Sequence, residues 1–267
     1  MQTEVMGGIA AYAALAGLSI GLLLTAVWWR RLLLHCRRKM QRLREAFARR
    51  EQRHRAQRLI SRATATLLNT GASERHAVIE QVLAMAGRYM GVDRAYLFLF
   101  DRERATISNS YEWCRSGVRC QKAMGQSIPT SLTPWWWQQM ERHRWVQIDD
   151  LDQLPAEAAA ERSIFMEQSI QSLLAFELGI GQESLGFIGF DSVLDQRHWD
   201  RREAESLRVI AEVMGAALTR WRYECSLEES ERKLRLAQQI ACLGDFSWEV
   251  ESGQMHWSEG MYRLLGY

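Results

Sequence analysis

The chain has 267 residues, of which 47% are hydrophobic and 25% charged, and it contains three prolines. This composition excludes a disordered protein and is typical of one or two globular domains. The net charge of +2 is unevenly distributed, because residues 30–62 hold 12 Arg and one Lys against Glu45 and Glu51.

The first predicted element is an apolar run over Val5–Trp29, which contains no charged side chain. About 20 apolar residues span the core of a bilayer, so the run predicts a transmembrane helix in contact with membrane lipid. Trp28 and Trp29 are expected at the headgroup level, followed by Arg30 and Arg31 on the cytoplasmic side. The predicted localisation is the inner (plasma) membrane, single-pass, with the N-terminus outside and the body cytoplasmic. A cleaved signal peptide is disfavoured because no basic residue precedes the run.

Residues 32–57 contain no Gly or Pro and many helix-forming residues, which predicts an Arg-rich helical linker. Its arginines are expected to contact anionic lipid. Nucleic-acid binding is the alternative, but the segment has almost no aromatic side chains for stacking on bases. No nucleic-acid partner is therefore expected.

The next predicted elements lie in the centre of the chain. The hydrophobic spacing predicts, in order, a helix from Ser73 to Gly91, a strand over 94–100, a strand ending near Trp113, a helix starting at Thr133-Pro134, a strand over 145–148, a helix over 156–168, strands over 170–178 and 185–193, and a long helix from Asp200 to Leu236. The last two strands flank a short loop, which is typical of a β-hairpin. Helices beside an antiparallel sheet indicate the α+β class.

The five cysteines are scattered along the chain: Cys36, Cys114, Cys120, Cys225 and Cys242. In a reducing cytoplasm they are expected to be free thiols, with Cys114 and Cys120 the only pair near each other in sequence. No Cys-x-x-Cys motif and no Cys/His spacing typical of zinc occurs, so no metal site is predicted.

Six segments of the central region carry a family resemblance: Asp93-Arg-Ala-Tyr-Leu-Phe-Leu-Phe-Asp101, Glu112-Trp-Cys114, Pro134-Trp-Trp136, Ile148-Asp-Asp150, Gln168-x-Ile-x-Ser-Leu-Leu174 and Leu185-Gly-Phe-Ile-Gly-Phe-Asp191. In this order they resemble a bacterial GAF sensor domain over residues 58–222. The resemblance implies a module that binds a small molecule or contacts a protein in a signalling chain. The Asn-Lys-Phe-Asp-Glu motif of cyclic-nucleotide-binding relatives and a bilin-bearing Cys-His pair are missing, so no cofactor is expected.

The candidate ligand-binding residues are Trp113, Cys114, Trp136, Trp137 and Asp191. Ligand pockets are lined mainly by aromatic side chains with a few polar groups, which favours the three tryptophans as cavity walls. Packing of helix against sheet explains one or two of them equally well. No catalytic residue is predicted, because the sequence places no acid–base partner beside a histidine and contains no nucleophile motif. The chain is therefore not expected to be an enzyme.

The last predicted elements are a helical linker over 223–237 and a short hairpin with the start of a helix over 238–267. The segments Leu243-Gly-x-Phe-x-Trp, His256-Trp-Ser and Met261-Tyr-Arg-Leu-Leu-Gly-Tyr267 resemble the opening of a PAS domain. The resemblance covers only the first part of such a unit. Chains that begin this way resemble sensor diguanylate cyclases, phosphodiesterases or histidine kinases, whose output domain is missing from these residues.

The predicted fold class is α+β, with one transmembrane helix, a helical linker, a GAF-like antiparallel sheet flanked by helices and an incomplete PAS-like start. The predicted segments are 1–31, 32–57, 58–222, 223–237 and 238–267. The predicted function is a membrane-anchored cytoplasmic sensory input module, paired as a homodimer through its helical linkers. A membrane scaffold that senses nothing is one alternative. The regulatory part of a cyclic-di-GMP enzyme or a histidine kinase is another.

Overall fold

The computed structural model describes residues 35–266 except positions 45, 48, 49, 52, 182 and 242. The chain divides into a first unit, residues 1–57, and a second unit, residues 58–267. In the first unit the described positions from 35 onward are helical, as the composition of the linker predicts.

The predicted fold class and localisation need correction at the N-terminus. Among the described residues, none of the helices is long and apolar enough to cross a membrane. The predicted span over 1–31, with Trp28, Trp29, Arg30 and Arg31, lies outside the described residues. The fold class of the described residues is therefore α+β.

The second unit begins with a helix over 58–68, here α1. The later helices are α2 (Arg75–Met90), α3 (Pro134–His143), α4 (Ala159–Glu167), α5 (Arg201–Ile240) and α6 (Glu259–Leu264). The strands are β1 (Arg94–Asp101), β2 (Thr106–Cys114), β3 (Ile128–Pro129), β4 (Trp145–Ile148), β5 (Ser172–Ile180), β6 (Glu183–Ser192), β7 (Phe246–Trp248) and β8 (Met255–Trp257). The elements predicted between Ser73 and Leu236 are confirmed, and β3 is an additional strand of two residues.

The first six strands form one antiparallel sheet in the order β3-β2-β1-β6-β5-β4. The two central strands, β1 and β6, come from distant parts of the chain and pair from Arg94–Asp191 to Leu99–Gly186. The predicted hairpin is the β5–β6 pair. This pairing confirms an antiparallel sheet with helices beside it.

Successive side chains of a strand point to opposite faces of the sheet. On β1, Ala95 and Leu97 belong to one hydrophobic cluster, whereas Tyr96 belongs to the other. The face that carries Leu97 is called the helix face below, and the face that carries Tyr96 is called the cavity face. A bulge in β2 shifts the register, since Leu97 pairs with Tyr111 and Phe98 with Asn109. The bulge therefore moves the second half of β2 out of phase with the first.

Helices α1, α2 and α5 cover the helix face. Their buried side chains are mainly aliphatic and recur at helical spacing, as in Leu59, Ala63 and Leu67 of α1. Trp113 of β2 packs against α2 so closely that a Cβ at Gly87 would lie 2.2 Å from its ring. This contact requires the glycine, because any larger residue at this position would clash with the indole ring.

Helices α3 and α4 cover the cavity face. Pro134 occupies the first turn of α3, where a missing N–H costs nothing. The carboxylate of Glu161 on α4 accepts a hydrogen bond from the backbone N–H of Trp136 at 3.1 Å. A negative charge at the N-terminus of a helix is favourable, so α4 holds the start of α3 in place.

Helix α5 has two different halves. Asp200 and Glu203 form a capping box at its start, as the predicted cap requires. The first half is buried against the sheet as far as Trp221, whose indole N–H donates to the carbonyl of Thr70 at 2.9 Å. From Tyr223 onward the helix is mostly exposed. The same helix therefore belongs to the core and also extends beyond it.

The predicted terminal hairpin is confirmed as the β7–β8 pair, followed by α6. Several of its apolar side chains are exposed, among them Phe246, Trp248 and Met255. A two-stranded hairpin has little core of its own.

Candidate functional site

A cavity of about 90 Å³ lies between the cavity face of the sheet and helices α3 and α4. Strands β1, β2 and β6 and the loop between β2 and β3 also contribute to its walls. It is lined by Arg94, Tyr96, Phe98, Ile107, Asn109, Glu112, Gln121, Gly125, Ile128, Thr133, Trp136, Trp137, Ile164, Phe165, Gln168, Ile170, Phe187 and Asp191.

Aromatic rings form the apolar walls of the cavity. Phe187 stacks on Phe98 with ring centroids 5.0 Å apart. Its ring also contacts Trp136 at 5.0 Å and Trp137 at 6.0 Å. Offset-stacked and tilted pairs at these separations are the favoured arrangements of aromatic side chains. Phe187 therefore connects the sheet to α3.

A buried ion pair lies at the edge of the sheet where β1 begins and β6 ends. The guanidinium of Arg94 is 3.3 Å from the carboxylate of Asp191, and both side chains are 2% exposed. The hydroxyl of Tyr96 donates to the other oxygen of Asp191 at 2.7 Å. Tyr96 reaches this position across Gly189, where a Cβ would lie 2.3 Å from the tyrosine ring.

Burial dominates the electrostatics of this network. It raises the pKa of the Asp191 carboxyl from its ordinary value of 3.8 to about 7, although the charge of Arg94 and the hydrogen bond from Tyr96 oppose the shift. The pKa of the Tyr96 hydroxyl is also raised, first by burial and then by the charge of Asp191. The free-energy cost of removing the carboxylate from water is therefore larger than the stabilisation that the ion pair with Arg94 and the hydrogen bond from Tyr96 provide.

Glu112 anchors the loop between β2 and β3. One carboxylate oxygen accepts hydrogen bonds from the backbone N–H groups of Gln121 at 2.8 Å and Lys122 at 2.6 Å. Burial raises the pKa of Glu112, while these two hydrogen bonds lower it. The carboxylate thus holds the part of the loop that forms one wall of the cavity.

The expectation of free thiols is wrong for two cysteines. Cys114, at the end of β2, and Cys120, in the following loop, form a disulfide. The redox state of a cysteine pair depends on its compartment, and sequence spacing alone did not reveal the pairing. Glu112 and the two sulfurs are the group of possible metal ligands that lie together in the described part of the chain. The sulfurs are bonded to each other, so neither is available as a thiolate.

Four polar atoms of cavity-lining side chains lack a hydrogen-bond partner among the residues that the structure describes. They are Arg94 Nε, Asn109 Oδ1, Trp136 Nε1 and Trp137 Nε1. Buried polar groups are nearly always hydrogen-bonded, and exceptions often mark a functional site or a missing partner. Three of the four atoms are donors, and one is an acceptor.

The structure brings three of the predicted ligand-binding residues together, since Trp136, Trp137 and Asp191 line the cavity. Trp113 lies on the helix face and packs against α2. Cys114 is engaged in the disulfide beside the cavity. Neither of the two belongs to the cavity walls.

Sequence reasoning missed Arg94, Tyr96, Asn109 and Phe187 as cavity residues. One signal was present in the sequence: Arg94 is a charged residue at the start of an apolar strand, and buried charges require a partner. The position of Asn109 in the cavity depends on the bulge in β2, which the sequence pattern does not reveal.

The sequence matches the GAF domain family over residues 74–218. It is also 28% identical over 163 residues to the methanogenesis regulatory histidine kinase FilI of Methanothrix harundinacea (strain 6Ac), a match that covers 59% of this chain. The chain spans 18% of the length of that kinase.

Solved structures with a similar fold include a far-red-absorbing protein with bound biliverdin in its dark state. That likeness has a TM-score of 0.53 at 18% identity and covers 62% of this chain and 99% of the other. The blue-light-absorbing GAF domain of PixJ from Thermosynechococcus elongatus has a TM-score of 0.51 and a sequence identity of 17%. The match covers 61% of this chain and 94% of the PixJ domain. The chromophore-binding domain of a bacteriophytochrome from R. palustris has a TM-score of 0.54 and a sequence identity of 13%. The match covers 62% of this chain and 61% of the bacteriophytochrome chain. At these identities the likeness shows the fold alone.

The family match covers more than half of the chain and includes the sheet, helices α2 to α4 and the buried half of α5. Domains of this family are sensory or regulatory and not catalytic. The chain belongs to the GAF domain family.

Proposed function

We propose that this GAF domain is the small-molecule-sensing input module of a signalling protein, with its ligand bound in the cavity between the sheet and helices α3 and α4. The observation that carries the proposal is an aromatic cavity whose lining side chains include four buried polar atoms without a hydrogen-bond partner among the described residues. A domain that only served as a scaffold has no need for unpaired buried polar groups, because each of them lowers its stability.

Strand β6 offers a route from the cavity to helix α5. Phe187 and Asp191 line the cavity, whereas Ile188 and Phe190 belong to the cluster on the helix face, which also contains the buried residues of α5. A ligand that prefers one position of β6 shifts the population of that position. The packing of α5 then changes with it.

The exposed half of α5 supports a parallel homodimer. Tyr223, Leu227 and Leu234 are each 60% exposed or more and follow one another at intervals of four and seven residues. Apolar residues at this spacing form the seam of a two-stranded coiled coil. Paired helices pass a rotation or a register shift from one domain to the next.

The output fed by this helix is proposed to be a histidine kinase, because the curated relative is a regulatory histidine kinase. Residues 238–267 are proposed to begin a PAS-like unit between sensor and output. The exposed apolar side chains of the β7–β8 hairpin support this idea, since they require further contacts. A cyclic-di-GMP enzyme is the alternative output.

The sensor proposal is tested on the full chain with a thermal-shift screen of small fragments. A ligand that binds the folded state raises Tm by mass action. Hits are expected for the wild type and should be lost in Ile128→Phe, which fills the cavity. Leu132→Phe is the matched control, because Leu132 is nearby, exposed and outside the cavity walls. If the wild type binds no fragment, or if both variants bind the same hits, the cavity is not a sensing site.

The dimer is tested separately by disulfide crosslinking of single cysteines, in a background without Cys36, Cys225 and Cys242. Leu227→Cys and Leu234→Cys lie on the proposed seam and are expected to crosslink efficiently. Arg232→Cys lies on the opposite side of the helix and should crosslink several-fold less. Equal yields at all positions, or no dimer, would exclude pairing through this seam.

A further inference from the structure

A second recess lies beside the helix face of the sheet, where α5 leaves the domain. It is a groove of about 350 Å³ between the start of α2, the middle of α5 and the ends of the strands β1 and β6. Three of the residues that line it are Arg75 of α2, Arg102 after β1 and Arg222 of α5, and it is called the arginine groove below. Its volume lies within the range of about 300–1,000 Å³ that small-molecule sites occupy.

The arginine groove carries more positive than negative charge. The guanidinium of Arg222 is 2.8 Å from the carboxylate of Glu183, and that of Arg102 is 4.0 Å from it, so these two arginines share one acidic partner. None of the described residues that line the groove is acidic. A cleft lined by charges of one sign concentrates ligands of the opposite sign, so the groove favours an anion.

Arg75 brings a third cation to the same side of α5. Its guanidinium donates to the carbonyl of Ala72 at 3.4 Å and to the sulfur of Cys225 at 3.2 Å, neither of which is a carboxylate. Cys225 follows Arg222 by three residues on α5, and residues at this spacing lie on one side of a helix. Arg75 and Arg222 therefore approach the groove from α2 and from α5.

The guanidinium groups of the arginine groove are accessible to a ligand. The side chains of Arg102 and Arg222 are 61% and 45% exposed. Each guanidinium has five N–H donors in a planar fork, which matches the two oxygens of a carboxylate. The pairing of Arg102 and Arg222 with Glu183 shows that this part of the molecule already holds one carboxylate between two arginines.

Apolar side chains form the rest of the arginine groove. Leu99, Leu185 and Leu218 are half-buried and line it together with the buried ring of Trp221. A half-buried leucine beside a recess leaves apolar surface in water, and covering that surface stabilises a complex. A small inorganic anion would leave it uncovered. The groove therefore favours a ligand with an apolar body behind its charged group.

We propose that the arginine groove is a second ligand site, which binds a small amphipathic carboxylate with its charged group on Arg75 and Arg222 and its apolar body on the leucines. This site is separate from the cavity between the sheet and helices α3 and α4, so the inference goes beyond the proposed function. A ligand in the groove joins the start of α2 to the part of α5 that leaves the domain.

Four probes test the proposal by calorimetric titration of the full chain. Octanoate has both the charge and the apolar body, octanamide lacks the charge, acetate lacks the body, and octyl phosphate carries a different anionic group. Octanoate should bind at least about tenfold more tightly than octanamide or acetate, the difference expected for one charge-assisted hydrogen bond. Octanoate binding that is absent, or no tighter than that of octanamide or acetate, would overturn the proposal. Tenfold tighter binding of octyl phosphate would show that the charged group is a phosphate and not a carboxylate.

A variant then locates the charged group of the ligand. Arg75→Gln removes one guanidinium, so octanoate affinity should fall about tenfold while octanamide affinity is unchanged. Arg88→Gln is the matched control, because Arg88 is on the same helix, exposed and outside the groove. In that control both affinities should be unchanged. An equal loss of octanoate affinity in the two variants would mean that only the net charge of the chain matters, and the proposed site would be wrong.

Cys225 supplies a second measurement that leaves the arginines intact. It is a half-buried free thiol in the wall of the groove. In a background without Cys36 and Cys242, saturating octanoate should slow the alkylation of Cys225 by iodoacetamide several-fold, whereas the same concentration of octanamide should not. An unchanged rate in saturating octanoate would place the bound octanoate elsewhere and overturn the proposal. Fragments bound in the cavity do not cover Cys225, so this result is independent of the sensing function.

Discussion

The two faces of the central sheet differ in the side chains that cover them. The helix face packs aliphatic side chains of α1, α2 and α5 against Leu97 and Ile188. The cavity face packs aromatic side chains of α3 and β6 around a space of about 90 Å³. One sheet thus separates a layer of aliphatic side chains from a layer that holds the cavity.

The polar atoms show the same difference. Among the described residues, seven buried side-chain nitrogen or oxygen atoms lack a hydrogen-bond partner, and four of them belong to residues that line the cavity. Natural proteins depart from ideal packing and hydrogen bonding mainly at functional sites. Stability is therefore expected to come chiefly from the helix face, and the following predictions test that division.

The largest expected effect is on the helix face. Leu97→Ala removes a fully buried side chain from the cluster on the helix face and should lower the free energy of unfolding by about 4 kcal/mol. Ile107→Ala is the counterpart on the cavity face, where the side chain borders empty space, and should cost about 2 kcal/mol. Urea unfolding monitored by circular dichroism measures both. Equal losses would contradict the division between the two faces.

A pH-dependent effect is expected from Asp191. Its pKa is raised to about 7 in the folded chain, from an ordinary value of 3.8. The unfolded carboxyl therefore ionises first as the pH rises, and this favours unfolding. The wild type should lose stability between pH 4 and pH 7 relative to Asp191→Asn, by up to about 1.4 kcal/mol per pH unit. Below pH 4 and above pH 7 the difference between the unfolding free energies of the two proteins should be constant.

Unfolding free energies of both proteins across pH 4–8 measure this effect. Glu112 and Tyr96 are present in both proteins, so the part of their titration that does not depend on Asp191 cancels in the difference. Tyr96→Phe, which removes only one hydrogen bond to Asp191, should keep a pH dependence of the wild-type kind. A difference between wild type and Asp191→Asn that does not vary with pH would show that the carboxyl is ionised throughout this range.

The smallest expected effect concerns the loop beside the cavity. Replacing Cys114 and Cys120 by serine opens a short disulfide loop and should lower the free energy of unfolding by about 2 kcal/mol. Cys225→Ser is the control, because Cys225 is a half-buried free thiol on α5, and should cost about 0.5 kcal/mol or less. Urea unfolding without reductant measures the free energy of unfolding of the double variant and of the control. A double variant as stable as the control would mean that the disulfide does not stabilise the fold.

Local pattern was sufficient to predict the elements of this domain but not the composition of its cavity. The strand at Arg94, the capped helix starting beyond Asp200 and the hairpin around 179–184 follow from hydrophobic spacing and capping residues, and all are present. Trp136 and Trp137 were also predicted as cavity residues. Trp113 was not separable from them by sequence, because the bulge in β2 decides which face each residue of that strand occupies.

The amino-acid sequence by itself determined the α+β class, the order of helices and strands and the family, because these depend on residue spacing and turn chemistry within short segments. The tertiary structure decided which residues meet. Pairing of β1 with β6 places Arg94 opposite Asp191, and packing of α3 on the sheet places Trp136 against Phe187. These contacts join residues about 50 to 100 positions apart, and local periodicity carries no information about such distant partners.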